Sequence, residues 1–470
     1  MAFRDLTHGS IPRLIVVLAL PVFGSFVLQS LYALADLYFV GLLGGAPLAG
    51  LGISLNIFFL VLALGQTIGI GSLAVLSRSF GAGQVERVGR FYQQSMLLVL
   101  IVGGVFWLLA YLGSELYFSM QTSDPEVIRE GTAYFRIFSA TLLIQVFLMV
   151  NGFSRRALGD FITPTLLMGS SVIINIVLDP IMIFGWGPVP AMGIRGAAWA
   201  TVLSQLASAV VYLRLMMGSP RNPYLVLRKL PMPHWATIGQ ILKIGTPSGT
   251  QFVLFTVMNL IMYAYVKPFG AEGTAAITVG FRIIHSSVLP AVAICSAVSS
   301  VVGQNFGARN WLRIRGGIFW GGVFSFFLLS LEYLALALAP GFWVGLFADT
   351  PEIIAVGSDY LIIVGAAIPM YSLGMAVIFG MQGMGRTMIP LGAMMARVGG
   401  FVATLVVMDL AGIVSIHSVL WANALSVTLE TVIMMVVAFF VTRKMNREFP
   451  PLPKEKRMDG PESYWQESVP

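Results

Sequence analysis

Residues 14–39, LIVVLALPVFGSFVLQSLYALADLYF, decide how the rest of the chain is read. The stretch is apolar for long enough to cross a bilayer, which takes about 20 residues. Yet it carries Pro21 near one end and a carboxylate, Asp36, near the other. An Asp inside a spanning helix costs about 2.5–3.5 kcal/mol on insertion scales, so such groups face an interior cavity and serve protons, ions or substrate. Pro21 removes a helix hydrogen bond and its ring crowds the preceding turn, which gives this helix a place to bend. The polar residues before it lead to no small-residue cleavage site, so the stretch reads as a first span and not as a removable signal.

Outward from this span, the 470 residues are 57% hydrophobic and only 10% charged, with mean hydropathy +0.85. That composition excludes a soluble globular domain and predicts an all-α polytopic membrane protein. Twelve apolar stretches fall between residues 14 and 441, the second (48–77) and eighth (274–302) being longer than a bilayer needs and therefore tilted. The net charge of +7 does not point to nucleic acid, because the basic residues sit in short clusters between apolar segments and report orientation. Arg78, Arg87 and Arg90, beside Phe80-Gly81-Ala82, read as one such cluster and a loop. The opposite loops are poor in Lys and Arg, which places both termini in the cytoplasm of a plasma (inner) membrane. The single cysteine, Cys295, excludes an internal disulfide and reads as a small apolar helix residue. With no His-Glu-x-x-His and no Cys/His pair, neither an intramembrane enzyme nor a bound cofactor is expected.

One offset, 226 residues, recurs along most of the chain. Pro21 matches Pro247, Gly44 matches Gly270, and Phe80-Gly81-Ala82 matches Phe306-Gly307-Ala308. The register continues through Pro125-Glu126 with Pro351-Glu352, Gly159 with Gly385, and Pro164 with Pro390. Near the end Trp199-Ala200-Thr201 matches Trp421-Ala422-Asn423 at 222, a four-residue deletion. The chain is two related six-helix bundles, and six being even, both enter the membrane in the same direction about an axis along its normal. A substrate cavity between them suits alternating access by rocking. The expected division is a cytoplasmic N-terminus (1–13), an N-lobe (14–217), a cytoplasmic linker (218–238), a C-lobe (239–442) and a disordered cytoplasmic tail (443–470), the whole a monomer.

The repeat also shows where the halves differ. Asp36 falls opposite Met262, Asn175 opposite Phe401, and Asp179 opposite Leu405. Asp36 and Asp179 each lie 15 residues after a proline, Pro21 and Pro164, on helices starting from the same side, so both reach a depth of about 22 Å. Asn175 shares a helix face with Asp179, and Thr201, on a helix descending from the other side, reaches about 12 Å down towards them. Two carboxylates in one low-dielectric pocket cannot both ionise easily and can carry a proton as a pair. Alternatively both stay ionised and, with oxygens from Asn175 and Thr201, hold sodium. A plainer role for Asp179, followed by Pro180, is to shape a turn at the interface. Arg397 and Glu430 read as a pair holding the second bundle together, while Arg282, His285 and Glu332 are candidates to touch substrate.

With these residues assembled, the chain resembles the multidrug and toxic compound extrusion (MATE) transporters over about residues 10–445. The matching segments are Ala35-Asp36-Leu37-Tyr38-Phe39-Val40-Gly41, Gly303-Gln304-Asn305-Phe306-Gly307-Ala308, and Arg156-Ala157-Leu158-Gly159-Asp160 followed by Thr163-Pro164. Within the family it looks like the DinF-like and archaeal branch. That resemblance implies Asp36 as the titrating carboxylate, Asn175, Asp179 and Thr201 as its companions, and Pro21 as the bend. The NorM-like branch places a glutamate where Phe255 stands here, and its tenth-helix aspartate is absent near Gly374, so coupling through the C-lobe is not expected. The implied function is a secondary antiporter exporting amphipathic, often cationic, small organic substrates across the lipid bilayer, coupled to inward proton or sodium movement. The alternative is a flippase for lipid-linked oligosaccharide, which would favour a cavity rich in arginine.

Overall fold

The computed structural model describes residues 3–218, 224–227 and 231–448. In lipid every backbone polar group must be satisfied within the segment, so apolar stretches of this length become helices. The first half folds as α1 (Ile11–Gly41), α2 (Gly45–Gly81), α3 (Val85–Leu112), α4 (Ser114–Gln121), α5 (Pro125–Ala157), α6 (Ile162–Phe184) and α7 (Ile194–Met216). The second half follows as α8 (Trp235–Val266), α9 (Gly270–Gly307), α10 (Trp311–Leu338), α11 (Pro340–Gly345), α12 (Pro351–Ile363), α13 (Ile368–Gly383), α14 (Met388–Leu410) and α15 (Ile416–Glu448). Among the described residues, eleven continuous helical stretches are long and apolar enough to cross a membrane. One of them, Trp235–Gly307, holds two crossings, α8 and α9, joined by a 3-10 turn at Lys267–Phe269. The result is twelve crossings in two bundles.

The repeat is reproduced helix by helix. Ser114 and Pro340, Pro125 and Pro351, Ile162 and Met388 open corresponding helices at the 226-residue offset, and Ile194 and Ile416 at 222. The short helices α4 and α11, which the hydropathy pattern does not announce, are a repeated pair too. The long second and eighth spans are α2, of 37 residues, and α9, of 38.

Several boundaries depart from expectation for local reasons. α1 starts at Ile11 because Pro12, which has no N–H to leave unpaired, sits in its first turn. α8 starts at Trp235, inside the expected linker, where the His234 side chain accepts a hydrogen bond from Thr237 N. The tenth span is broken: α12 ends at Ile363, a 3-10 turn covers Gly365–Ala367, and Pro369 lies in the first turn of α13, where it cannot continue an incoming helix. Phe80-Gly81 closes α2 and is not loop. The tail expected to lack structure from 443 is helical to Glu448; linker residues 219–223 and 228–230 and tail residues 449–470 lie outside the described residues.

The hydrophobic cores reveal an exchange between the bundles. Leu14, Ile15, Leu18 and Val22 of α1 pack with Val298, Val301 and Ile314 of the second bundle. Beyond Pro21 the same helix runs along α6 of its own bundle. α8 does the converse: Ile238 and Ile241 join the core of the first bundle, while Met258, Met262 and Val266, beyond Pro247, join their own. Each bundle's first helix begins inside its partner and returns home past a proline.

Candidate functional site

α6 and α7 run against each other closely enough that a Cβ on Gly196 would strike the backbone of Met182. This contact sets the α6 polar face beside α7. Asn175 and Asp179 are completely buried there, and Asn175 Nδ2 donates to Asp179 Oδ1 at 3.3 Å. Asn175 Oδ1 is buried and accepts no hydrogen bond. Thr201, also buried, donates to Ala197 O and receives the Tyr32 hydroxyl of α1 at 3.2 Å. Pro180 does not end α6, which continues to Phe184, so Asp179 belongs to the bundle interior and not to an interfacial turn. Asp36 lies in α1 one turn beyond Tyr32, and its side chain lies outside the described residues.

Tyr32 was missed in the sequence, where it reads as one more aromatic of a spanning helix. Its spacing of four residues from Asp36 was the available signal. The donor set at hand, a carboxylate, an amide oxygen and a hydroxyl, is all oxygen and suits a hard cation. Among the described residues no cluster of three or more His, Cys, Asp or Glu side chains could bind a metal ion. The mirrored positions in the second bundle, Phe401, Leu405 and Met262, are buried and apolar.

Pro21 is gripped from α6. Thr165 Oγ1 lies 2.9 Å from the Pro21 carbonyl oxygen and 2.9 Å from Ser25 Oγ, and Ser25 Oγ lies 3.1 Å from the same carbonyl. Two hydroxyls thus gather on the carbonyl at the point where α1 passes from one bundle to the other.

The remaining candidates are spread out. Arg282 and His285 are exposed on α9; Arg282 lines an open groove of about 630 Å³ with Lys267, Thr274 and Thr278. His285 stacks near Phe281, which meets Phe255, at 5.6 and 6.4 Å between ring centres. Glu332 sits apart on α10, half-buried, with Oε2 accepting no hydrogen bond. Arg397 Nη1 meets Glu430 Oε2 at 2.9 Å with both side chains buried, and the guanidinium lies over the Tyr371 ring. A second buried pair, Arg155 with Asp160 at 2.9 Å, closes the α5–α6 turn, so Arg155 does more than mark orientation. Cys295 is buried against Ser325.

Burial also shows which way the bundles part. On both central helices the half nearer the termini is almost wholly buried, 61–79 on α2 and 291–305 on α9, while 270–290 of α9 is largely accessible. The bundles therefore meet on the terminal side and diverge on the other.

The MatE family profile matches residues 21–181 and 247–408, two copies at the offset of the internal repeat. A probable multidrug resistance protein NorM of Thermotoga maritima is 26% identical over 378 residues, 80% of this chain and 81% of its own. An FAD transporter of Shewanella oneidensis is 25% identical over 382 residues, 80% of each chain. A crystal structure described as MATE in the bent conformation superposes with a TM-score of 0.88 at 22% identity, covering 95% of this chain and 98% of that one.

Proposed function

This chain belongs to the MatE family of multi-pass membrane transporters, and we propose that it is an antiporter exporting amphipathic, often cationic, organic compounds in exchange for protons or sodium. The observation that carries this reading is the buried polar group Asn175–Asp179 beside Thr201 and Tyr32, present in one bundle and replaced by Phe401 and Leu405 in the other. A buried carboxylate is costly to keep charged, so its partners must offset that cost, and a proton or cation arriving at the site changes the balance. Asn175 Oδ1, without a donor, is the atom such an arrival would satisfy.

On this reading the coupling ion enters from the open side and loads Asp179 with Asp36, Asn175 and Thr201. Tyr32 ties Thr201 to α1, so loading is felt by the helix that bends at Pro21. The ion drives the cycle by as much as its affinity differs between the two states of the bundles. Termini in the cytoplasm make the conformation described here outward-facing. The lobes are α1–α7 and α8–α15, and the unit is a monomer of the DinF-like branch, set in the plasma membrane.

The groove with Lys267 and Arg282 favours a second reading, an anionic substrate, for which the relative named an FAD transporter is a precedent. The first experiment is proton release on adding a cationic dye to purified protein, for wild type, Asp36→Asn and Asp179→Asn, with and without sodium. Release that vanishes in both variants and ignores sodium is the expected outcome for a proton-coupled pair. Release unchanged in either variant refutes the N-lobe site, and release on adding an anionic dinucleotide but no dye favours the second reading.

A further inference from the structure

α2 and α9 cross at their terminal-side ends so closely that a Cβ on Gly81 would strike the Gln304 backbone, and one on Gly307 the Arg78 backbone. Gln304 and Arg78 occupy the same position of the repeat, 226 residues apart. Each reaches across to the end of a helix in the opposite bundle. Arg78 Nη1 donates to Met384 O, just past α13, at 3.1 Å; Gln304 Nε2 donates to Ala157 O, the last residue of α5, at 2.9 Å. Two related side chains thus tie the bundles together about the pseudo-twofold axis.

The two ties are not equal, because only Gln304 engages a third party. Its Oε1 accepts from Leu6 N at 2.8 Å, and Leu6, completely buried, belongs to a strap that runs between the bundles. Asn305 Nδ2 donates to Leu6 O, and Arg313 donates to Gly9 O and His8 O at 2.7 and 3.0 Å, so the second bundle holds the strap. Arg4 N donates to Leu158 O at 3.0 Å, so the first bundle holds it too. At Asp5 burial opposes ionisation, but hydrogen bonds from Thr7 and His8 outweigh it and hold the carboxyl below its ordinary range, which keeps the strap's turn closed at neutral pH. An amide both donates and accepts, which neither a carboxylate nor a guanidinium does. Gln304 can therefore hold a neighbouring bundle and the strap at once.

We propose that Gln304, with the strap Arg4–Gly9, is the releasable lock of the terminal-side gate, and Arg78 its simpler counterpart. The bundles cannot part on this side without breaking both ties and withdrawing Leu6. Every tie is a hydrogen bond that water can replace once the gap opens, as a reversible gate requires. Gln304 is in this sense a positioning residue; its place in the transport cycle rests on the antiport reading, whereas the lock itself does not.

The test measures accessibility and needs no substrate. Ser300 is buried one turn before Gln304 on the same face, and its hydroxyl makes no hydrogen bond, so Ser300→Cys in a Cys295→Ala background is a mild reporter. The reconstituted full chain is labelled from the terminal side with a membrane-impermeant maleimide. Gln304→Leu removes the hydrogen bonds to Leu6, Ala157 and Arg4, so labelling should accelerate at least about tenfold. Arg313→Gln, which loosens the strap at a partly exposed position, guards against misfolding of the first variant and should accelerate labelling several-fold. A cysteine at Ala275, in the groove of the open side, should be labelled more slowly in both variants. Unchanged Ser300→Cys labelling in variants that elute and melt like the parent overturns the lock, even if dye-driven proton release persists. Faster labelling in a protein that shows no such release sustains the lock and sinks the antiport reading alone.

Discussion

Breaking the Arg397–Glu430 pair should destabilise the second bundle strongly, and unequally from its two ends. The contact is 2.9 Å, with the side chains 7% and 3% exposed, so neither charge has water to fall back on. Removing one partner of a buried pair costs about 3–5 kcal/mol, because it strands the other charge, whereas replacing both with apolar groups is often neutral. The two ends differ because a stranded carboxylate can take up a proton while a guanidinium cannot lose one. In Arg397→Met the remaining Glu430 can be neutralised, and the loss should lie near about 3 kcal/mol. In Glu430→Leu the cation remains over the Tyr371 ring, with Nε already lacking an acceptor, and the loss should approach about 5 kcal/mol. The double variant should return to within about 1–2 kcal/mol of the parent, a coupling larger than most neighbouring pairs show. Reversible unfolding in mixed micelles, as a double-mutant cycle, measures all three. A Glu430→Leu variant within about 1 kcal/mol of the parent, or a double variant no better than the worse single, would refute a structural role.

Two further outcomes test the packing described above. Gly245 faces the Thr67 backbone on α2, whereas nothing lies within 4 Å of a Cβ on Gly239 of the same helix; Gly245→Ala should lose about 1–3 kcal/mol through overpacking while Gly239→Ala gains stability or stays level, read from thermal melts. Thr165→Val removes the interhelical hydroxyl at the Pro21 carbonyl and should slow dye transport several-fold without lowering the melting temperature by more than one hydrogen bond is worth, about 1 kcal/mol. An unchanged rate would remove Thr165 from the bend.

Much of this architecture is legible in the chain because lipid leaves the backbone little choice. Twelve apolar stretches become twelve crossings, and a repeat of Gly and Pro in one register places each helix opposite its relative. The pairing of Arg397 with Glu430 could be read from the cost of burying either alone. What escaped the sequence depends on contacts between bundles. Leu14 and Leu18 look like any lipid-facing leucines of a first span, and nothing local says that they pack in the other bundle's core. Gln304 stands in a family motif, yet its work is visible only where Ala157 and Leu6 approach it from far along the chain. Tyr32 was likewise hidden, since an aromatic at helical spacing is ordinarily packing.

The divergence of the two copies is the clearest guide to what each does. Position for position, Asn175 and Asp179 became Phe401 and Leu405, while Ser171 and Ser208 stand where Arg397 and Glu430 do. Arg397 precedes the counterpart of Asp179 by eight residues on α14, so the pair it forms with Glu430 lies about 12 Å closer to the terminal side. Arg397 and Glu430 are joined in an ion pair at the terminal-side depth, where the central helices are tightly packed. The first bundle has its polar group further out, where the bundles have parted, and keeps an amide oxygen there without a donor. A duplicated bundle that only needed to be stable could have kept the same solution twice. Here one copy pairs Arg397 with Glu430 inside its core, and the other places Asn175 and Asp179 on a helix tied through Thr165 to the proline where α1 changes bundles, with Tyr32 joining α1 to Thr201 beside it. On the antiport reading, an ion binding in the first bundle acts on α1, which like α8 has its two ends in different lobes, a short mechanical route from the proposed site to the relative position of the bundles.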